Sequence, residues 1–289
     1  MNERAYLAER FEEHRTHLRA VAYRMLGSLS EVDDAVQEAW LRLSRADSAE
    51  IDNLGGWLTT VVARVCLDLL RSRQSRREAP FTPDAPEPVA TGTRGSSPEQ
   101  EALLADSVGL ALLVVLDRLT PAERLAFVLH DMFAVPFEEI APIVGRSAEA
   151  TRQLASRARR RVRGGGTPNA DLVQQREVVE AFIAALRAGD FEGLLAVLDP
   201  DLVVRADIAA GAPTEIRGAA VWAKGAVAYG HMARLTQPAL VDGAIGVVVA
   251  PQGRLVRALR FTIANGRITE IEVIGNPARL DELDVSIVD

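Results

Sequence analysis

The chain has 289 residues, of which 48% are hydrophobic and 25% are charged, and its formal net charge is −7. This length and composition suit two or three globular domains of ordinary size. The sequence contains no run of eighteen apolar residues, and the acidic Glu3 follows directly on Met1-Asn2. Both observations argue against a membrane span and a secretory signal, and they favour a cytoplasmic protein.

Two stretches have a composition that can neither continue a helix nor fill a core. Residues 78–98 contain five prolines, and residues 164–169 read Gly-Gly-Gly-Thr-Pro-Asn. Both are predicted to be linkers. They divide the chain into three predicted domains, at residues 1–77, 99–163 and 170–289.

The first domain has the helical period throughout. Its apolar residues recur at spacings of three and four, which predicts three amphipathic helices around one core, with Ser30 as the N-cap of the second. Cys66 stands at an apolar position and is predicted to be a small buried residue without chemistry. The second helix carries Glu31, Asp33, Asp34 and Glu38 beside Gln37. Such a face is either ordinary solvated surface or a docking site for another protein.

The second domain has the pattern of a helix-turn-helix. Thr120-Pro121-Ala122-Glu123 predicts a helix start with a capping box, a short helix is predicted over 137–144, and Gly145 precedes a helix capped by Ser147 that runs to about residue 162. Seven arginines lie between positions 146 and 163, and five lie between 64 and 77. These clusters are either solvated helix ends or the two places where the acidic chain meets DNA.

The third domain changes to an α+β pattern. Helices are predicted over 171–188 and 191–198, and strands over 202–205, 246–250, 256–263 and 268–274. Asn265-Gly266, between the last two predicted strands, is typical of a type I′ hairpin. The predicted fold class is therefore multidomain, with two all-α domains followed by an α+β domain.

The motif Glu31-Val32-Asp33-Asp34-Ala35-Val36-Gln37-Glu38-Ala39-Trp40-Leu41, followed by Trp57-Leu58-Thr59-Thr60-Val61-Val62-Ala63-Arg64, resembles region 2 of extracytoplasmic-function sigma factors. The resemblance implies that the acidic helix binds core RNA polymerase and that the third helix, with the loop before it, binds the minus-ten promoter element. The implied polymerase-binding residues are Asp33, Asp34, Gln37, Glu38 and Leu41. The implied minus-ten residues are Asn53, Trp57, Thr60, Arg64, Arg71 and Arg73.

Leu119-Thr120-Pro121-Ala122-Glu123-Arg124, Phe137-Glu138-Glu139-Ile140-Ala141 and Arg157-Ala158-Arg159-Arg160-Arg161 resemble region 4 of the same family. The resemblance implies that the helix after Ser147 enters the major groove of the minus-35 element, where Arg and Gln side chains read base edges. The implied minus-35 residues are Arg146, Ser147, Glu149, Arg152, Gln153, Ser156, Arg157 and Arg160.

The third domain resembles the SnoaL-like branch of the NTF2-like family, whose members have a cone-shaped, curved sheet. The resemblance rests on Gly189-Asp190-Phe191-Glu192, Leu198-Asp199-Pro200-Asp201 and Arg217-Gly218. Asn276-Pro277-Ala278-Arg279-Leu280 resembles the terminal Asn-Pro motif of J-type sigma factors. This similarity implies a regulatory domain with Asp207, Asn276 and Pro277 as its regulatory residues.

The leading functional hypothesis is an alternative sigma factor, a non-catalytic protein with core RNA polymerase and promoter DNA as partners and without cofactor, metal or membrane. A small ligand or a regulatory protein is a further candidate partner of the third domain. One rival is a DNA-tethered NTF2-like enzyme, with Asp207 as base beside Arg205 and with Tyr229 or His231 as donor. The other rival is a helix-turn-helix regulator that binds DNA without polymerase.

Overall fold

The structure is a computed structural model that describes residues 3–46, 51–78, 109–163, 170–208, 214–228, 233 and 236–287. The two predicted linkers, apart from residue 78, lie outside the described residues, and so do Tyr229 and His231. None of the helices in the described part of the chain is both long and apolar enough to cross a membrane.

The helices and strands follow the predicted order. The helices are α1 (Glu3–Leu26), α2 (Leu29–Leu43), α3 (Leu54–Glu78), α4 (Leu110–Asp117), α5 (Pro121–Phe127), α6 (Phe137–Val144), α7 (Ala148–Arg163), α8 (Ala170–Ala188), α9 (Phe191–Val197), α10 (Ala219–Ala228) and α11 (Pro277–Glu282). The strands are β1 (Leu198–Ile208), β2 (Thr214–Arg217), β3 (Thr236–Val241), β4 (Ala244–Val249), β5 (Arg257–Ala264), β6 (Arg267–Gly275) and β7 (Val285–Ser286). A π-helical turn, Val128–Met132, continues α5, and a short 3₁₀ helix, Pro251–Gly253, follows β4.

The described residues form two compact units. The first contains α1 to α3, α5, α6 and α7 up to Arg159, and the second contains α4, the end of α7 and everything from α8 onward. This grouping cuts across the predicted domain 99–163. The boundaries of the three predicted domains stay a prediction.

The core of the first unit comes from the predicted periodic positions. Phe11, Leu18 and Met25 of α1 are buried against apolar residues of α2 and α3 such as Val32 and Val62. The predicted burial of Cys66 is confirmed. The prediction of Ser30 as N-cap is wrong, because α2 begins at Leu29 and its N-cap is Ser28, two residues earlier, in extended conformation.

Helices α5 and α6 pack on α3, and the π-helical turn packs on α1, within the same unit. Arg124 of α5 is only 3% exposed, and its Nε donates to the carbonyl oxygen of Arg24 at the end of α1 (3.2 Å). Phe133, after the π-helical turn, meets His17 edge-on with 5.2 Å between ring centroids, and it lies under the guanidinium of Arg24. Burial lowers the pKa of His17, and the neighbouring His14 lowers it further.

The predicted helix-turn-helix is confirmed by its local contacts. The side chain of Thr120 accepts from the backbone N–H of Glu123, whose carboxylate accepts from the N–H of Thr120 (3.2 Å), which is a complete capping box. Gly145 ends α6 at φ 74°, a conformation that glycine adopts without strain. The hydroxyl of Ser147 then accepts from the N–H of Ala150 at the start of α7.

The second unit is an α+β domain with a curved sheet, as predicted. Within the described residues the strand order is β2-β1-β6-β5-β4-β3-β7, and only the β1–β6 pair is parallel. The Asn265-Gly266 hairpin is confirmed: both residues have positive φ, and Ala264 pairs with Arg267 across the turn. Helices α8, α9 and α10 pack on the inner face of the sheet around Phe182, whose ring contacts Trp222 and Phe261.

The central strands tolerate no side chain at Gly246. A Cβ atom at this position would lie 2.3 Å from the carbonyl oxygen of Leu259 on the neighbouring strand. We therefore expect Gly246→Ala to lower the free energy of unfolding by about 3 kcal/mol, because the backbone of β5 must move. Gly225→Ala is the control, since that glycine is exposed in α10 with open space around it. It should stabilise by about 0.5–1 kcal/mol. Urea unfolding followed by tryptophan fluorescence measures both, and equal midpoints for the two variants would contradict the close packing.

The thiol of Cys66 is predicted to be inert in the native protein. Burial raises its pKa to about 12, although the charge of Arg124 acts in the opposite direction. Because the thiolate is the reactive form, a disulfide reagent at pH 8 should label almost no native protein and one equivalent of the urea-unfolded chain. Rapid stoichiometric labelling of the native protein would show that this part of the core is open.

Candidate functional site

The acidic helix α2 presents one continuous exposed face. Asp33, Asp34 and Gln37 are exposed, Glu38 is half-buried, and the spacing of these residues places them opposite the buried Val32 and Ala35 stripe. Leu41, one turn further, is 38% exposed, so an apolar side chain stands among the acids. All five predicted polymerase-binding residues therefore share one surface.

One arginine of α1 and one of α2 border this acidic face. Arg19 forms an ion pair with Asp33, and Arg42 donates to Glu38 within α2 (2.9 Å). A groove of about 290 Å³ runs beside these contacts. It is lined by Phe11, Arg15, Arg19, Asp33, Val36, Gln37 and Trp40. Since the groove combines apolar walls with charges of both signs, this surface is better suited to another protein than to DNA phosphates.

The structure brings together four of the predicted minus-ten residues. Trp57, Thr60, Arg64 and Arg71 follow one stripe along α3; the two arginines are exposed, and Trp57 and Thr60 are half-buried. The stripe has an aromatic ring near the helix start and cations along its length. That combination is suited to stacking on bases and contacting phosphates.

The other two predicted minus-ten residues have structural contacts. Asn53 is the N-cap of α3, and its side-chain oxygen accepts from the N–H of Gly56 (3.0 Å). Arg73 lies on the opposite side of α3, where it pairs with Glu31 and donates to the carbonyl oxygen of Leu26 (3.3 Å). Arg73 is therefore separated from the stripe of the other four, and its orientation favours packing between helices over DNA contact.

The predicted minus-35 residues all lie at the surface. Arg146 and Ser147 precede α7, and the others share its exposed face: Glu149, Arg152, Gln153, Ser156, Arg157 and Arg160. The buried stripe contains Thr151, Ala155, Ala158 and Val162. Leu154, which lies beside this stripe, is half-buried.

Two arginines on this face are held by neighbouring side chains. Arg152 pairs with Glu149 (2.6 Å) and lies over the ring of Phe137. Arg157 donates from Nε to Glu123 (3.1 Å), whose carboxylate also belongs to the capping box. Such contacts fix the direction of the guanidinium groups before any ligand arrives, which reduces the entropic cost of binding. Glu123, buried at the helix start, was not predicted as part of this site.

The predicted regulatory residues lie next to one another in the fold, although about seventy positions separate Asp207 from Asn276 and Pro277 in the sequence. The backbone N–H of Asn276 donates to the carbonyl oxygen of Asp207 (3.1 Å), and the side chain of Asn276 caps α11, in which Pro277 is the first residue. Arg279 of the same helix bridges Asp207 (3.2 Å) and Glu272 (2.8 Å). Hydrogen bonds to Glu272 and Asp207 raise the pKa of Arg279. Burial alone would raise the pKa of Glu272, but Arg279 and Arg260 lower it.

Arg118 and α4 were not predicted from the sequence. Arg118 ends α4 and donates to the carbonyl oxygens of Leu280 (2.6 Å) and Leu283. Burial lowers the pKa of Arg118, while four nearby carboxylates act in the opposite direction. A signal for α4 existed: residues 110–116 are apolar without interruption, and such a helix is buried on more than one side.

Comparison with known proteins identifies both helical regions. Residues 10–76 match the family model "Sigma-70 region 2", and residues 109–162 match "Sigma-70, region 4". The chain is 39% identical over 287 residues to the ECF RNA polymerase sigma factor SigJ of Mycobacterium tuberculosis, covering 92% of this chain and 91% of that protein. It is 36% identical over 280 residues to the probable ECF RNA polymerase sigma factor SigI of the same species, covering 93% of each.

The crystal structure of Mycobacterium tuberculosis SigJ matches with a TM-score of 0.47 and 36% identity, over 94% of this chain and 98% of that one. The alignments with the two sequence relatives cover both helical regions and the C-terminal domain. The acidic face of α2, the exposed stripe of α3 and the helix-turn-helix thus lie in the segments that match the sigma-70 models. The chain belongs to the extracytoplasmic-function sigma factors, alternative non-catalytic subunits that direct transcription initiation by RNA polymerase.

Proposed function

We propose that the face of α2 formed by Asp33, Asp34, Gln37, Glu38 and Leu41 is where this sigma factor binds core RNA polymerase. The observation that carries the proposal is an exposed leucine among carboxylates, beside a groove with apolar walls. A purely solvated face has no need of an exposed leucine, whereas protein interfaces combine apolar and charged residues. The acidic charge also keeps DNA phosphates away from this face.

We propose further that α3 and α7 contact the promoter, at the minus-ten and minus-35 elements respectively. The exposed stripe Trp57, Thr60, Arg64 and Arg71 supports the first assignment. The arginine-bearing face of α7, positioned by the turn at Gly145, supports the second. These local basic faces explain how a chain with a net charge of −7 meets DNA: neutralisation of phosphates depends on the charge of the contact surface.

For the C-terminal unit we propose an NTF2-like regulatory domain that acts through protein contacts. Its inner face is packed with aromatic rings, since Phe182 lies 5.8 Å from Trp222 and 5.2 Å from Phe261 between ring centroids. Asp207, the candidate base of an enzyme, points with Arg205 toward the outer face and pairs with Arg279. This arrangement favours regulation by contact over both a ligand sensor and an enzyme.

The polymerase-binding proposal predicts the behaviour of Asp34→Ala/Glu38→Ala. In run-off transcription with bacterial core polymerase and genomic promoter fragments, the double variant should give at least about tenfold less specific transcript than the wild type. Loss of one interfacial hot spot commonly has an effect of this size. Glu12→Ala/Glu13→Ala is the matched control, because these exposed acids of α1 belong to the same helical unit and give the same change of charge.

Equal activity of the α2 variant and the α1 variant would contradict the docking assignment. A parallel binding measurement with core polymerase alone separates docking from promoter recognition. We expect the α2 variant to bind core polymerase more weakly in the absence of DNA.

The promoter-reading proposal predicts different outcomes for two residues of α7. Gln153→Ala should relax base preference at one minus-35 position, at a cost of about 1–3 kcal/mol on the preferred sequence. Arg160→Ala should weaken binding about equally on all sequences. It should also reduce the slope of log binding constant against log salt concentration by about one, because one fewer counterion is released. Holoenzyme binding to single-base variants of the minus-35 element, at several salt concentrations, measures both. The same uniform loss from both variants would remove Gln153 from the set of base-reading residues.

A further inference from the structure

Strand β2 is an exposed end of the C-terminal sheet. Among the described strands it stands last in the sheet order and pairs only with β1. All four of its residues are exposed. The strand at the other end of the described sheet, β7, has two residues, and both are buried. Because an end strand carries outward backbone N–H and C=O groups, β2 is the end at which a further strand can be added.

The hydrogen bonds to β1 determine which backbone groups of β2 face outward. The N–H of Gly218, directly after β2, donates to the carbonyl oxygen of Leu202 on β1 (2.8 Å). In an antiparallel pair, every second residue directs its N–H and C=O toward the same neighbour. Ile216 therefore also faces β1, whereas Glu215 and Arg217 direct their backbone groups away from β1, toward the open edge.

Two apolar side chains stand exposed beside this edge. Ile216 pairs with Val204, which belongs to the core under the helices, so Ile216 lies on the same face of the sheet, yet it is 39% exposed. Val221 of α10 is 65% exposed. It adjoins the end of β2, since a Cβ atom at Gly218 would lie 3.9 Å from its Cγ2. Apolar side chains next to an open strand edge are suited to contact with another chain.

The charged residues of β2 lie on the opposite face and have opposite signs. Alternation along the strand places Glu215 and Arg217 together on the face of Arg205. Arg205 donates to Glu215 (3.2 Å), and Arg217 also pairs with Glu215 (2.7 Å), although the side chain of Arg217 is 72% exposed. When two copies of Glu215-Ile216-Arg217 run antiparallel, each glutamate lies opposite an arginine. The edge is therefore complementary in charge to itself.

We propose that β2 pairs with β2 of a second copy of this chain, antiparallel about a twofold axis at Ile216. In this register Glu215 of each copy lies opposite Arg217 of the other. These are the residues with outward backbone groups, so each of the two pairs forms two backbone hydrogen bonds as well as an ion pair. Ile216 meets its counterpart at the closer spacing of a pair without hydrogen bonds. Residue i contacts residue j and j contacts i, which is the rule for a twofold interface.

Association through the outer face of this sheet is not open in the same way. Helix α4 contacts β3, β4 and β7, and it covers their outer face within the chain. The edge at β2 is free of such a cover, and its own order of charges selects a copy of itself over an unrelated strand. The inference gives the C-terminal domain one concrete protein contact, and it does not depend on the polymerase and promoter assignments.

The test is sedimentation equilibrium of the full-length protein at about 1–100 μM, the range in which a small interface associates. The mass of the wild type should rise with concentration toward twice the 31.2 kDa of the chain. Glu215→Arg and Arg217→Glu each place like charges opposite one another in both pairs. Each should therefore raise the dimer dissociation constant at least about tenfold.

Mixing the two variants separates the edge from any general defect. An equimolar mixture should form a heterodimer about as tightly as the wild type forms its dimer, because the basic edge of Glu215→Arg then faces the acidic edge of Arg217→Glu. The double variant Glu215→Arg/Arg217→Glu should dimerise by itself again. Arg254→Glu is the control: it makes the same change of charge at an exposed residue outside the edge and should dimerise like the wild type.

A wild type that stays monomeric over the whole range would overturn the proposal. A dimer that neither single variant weakens would overturn it too, since the contact would then use another surface, and so would a mixture that stays monomeric. The sigma function is tested separately, by run-off transcription with the wild-type protein, so the failure of one proposal leaves the other standing.

Discussion

The C-terminal sheet is apolar on its inner face and, along β3, β4 and β7, on its outer face as well, so this part of the sheet must be covered twice. Helices α8, α9 and α10 cover the inner face around Phe182. This part of the outer face requires another layer, and α4, which begins sixty residues before α8, supplies it. An exposed apolar area of this kind would promote association, and α4 covers it from within the same chain.

Charges are balanced on the sheet but unbalanced on the helices α2 and α7. On the outer face of the sheet the acids are paired with arginines across neighbouring strands, as Arg205 is with Glu215 and Glu270, and as Arg260 is with Glu272. These pairs largely cancel within the domain. On α2 the carboxylates outnumber their partners, and on α7 the exposed arginines do. The formal net charge therefore describes neither of the two surfaces proposed to bind partners, and the sign of each surface fits its proposed ligand.

Features with a local cause were predictable from the sequence. The capping box at Thr120, the glycine that ends α6 and the Asn265-Gly266 hairpin each depend on a few consecutive residues, and each is found in the structure. The cap of α2 was predicted wrongly, because Ser28 and Ser30 are equally good candidates by residue type and only packing decides between them.

Features that depend on distant partners could not be read from the sequence. An uninterrupted apolar run such as that of α4 shows that a helix is buried but carries no polar face that would indicate its neighbours. Strands β2 and β3 are short or weakly patterned, and their pairings define them. The exposed stripes of α3 and α7 followed from the helical period, whereas the inward orientation of Arg73 depends on Glu31, 42 positions away.

The position of Asp207 shows whether it is placed to act as a catalytic base. Along β1, Leu202 and Val204 face the helices, so alternation places Arg205 and Asp207 on the other face, toward α11. A carboxylate that serves as a base needs access to a substrate, whereas this one is bound by Arg279 and adjoins the backbone of Asn276. Its contacts order the segment that reaches Arg118. Asp207, the candidate base of the enzyme hypothesis, thus holds a structural connection within the domain, as expected of a non-catalytic sigma factor.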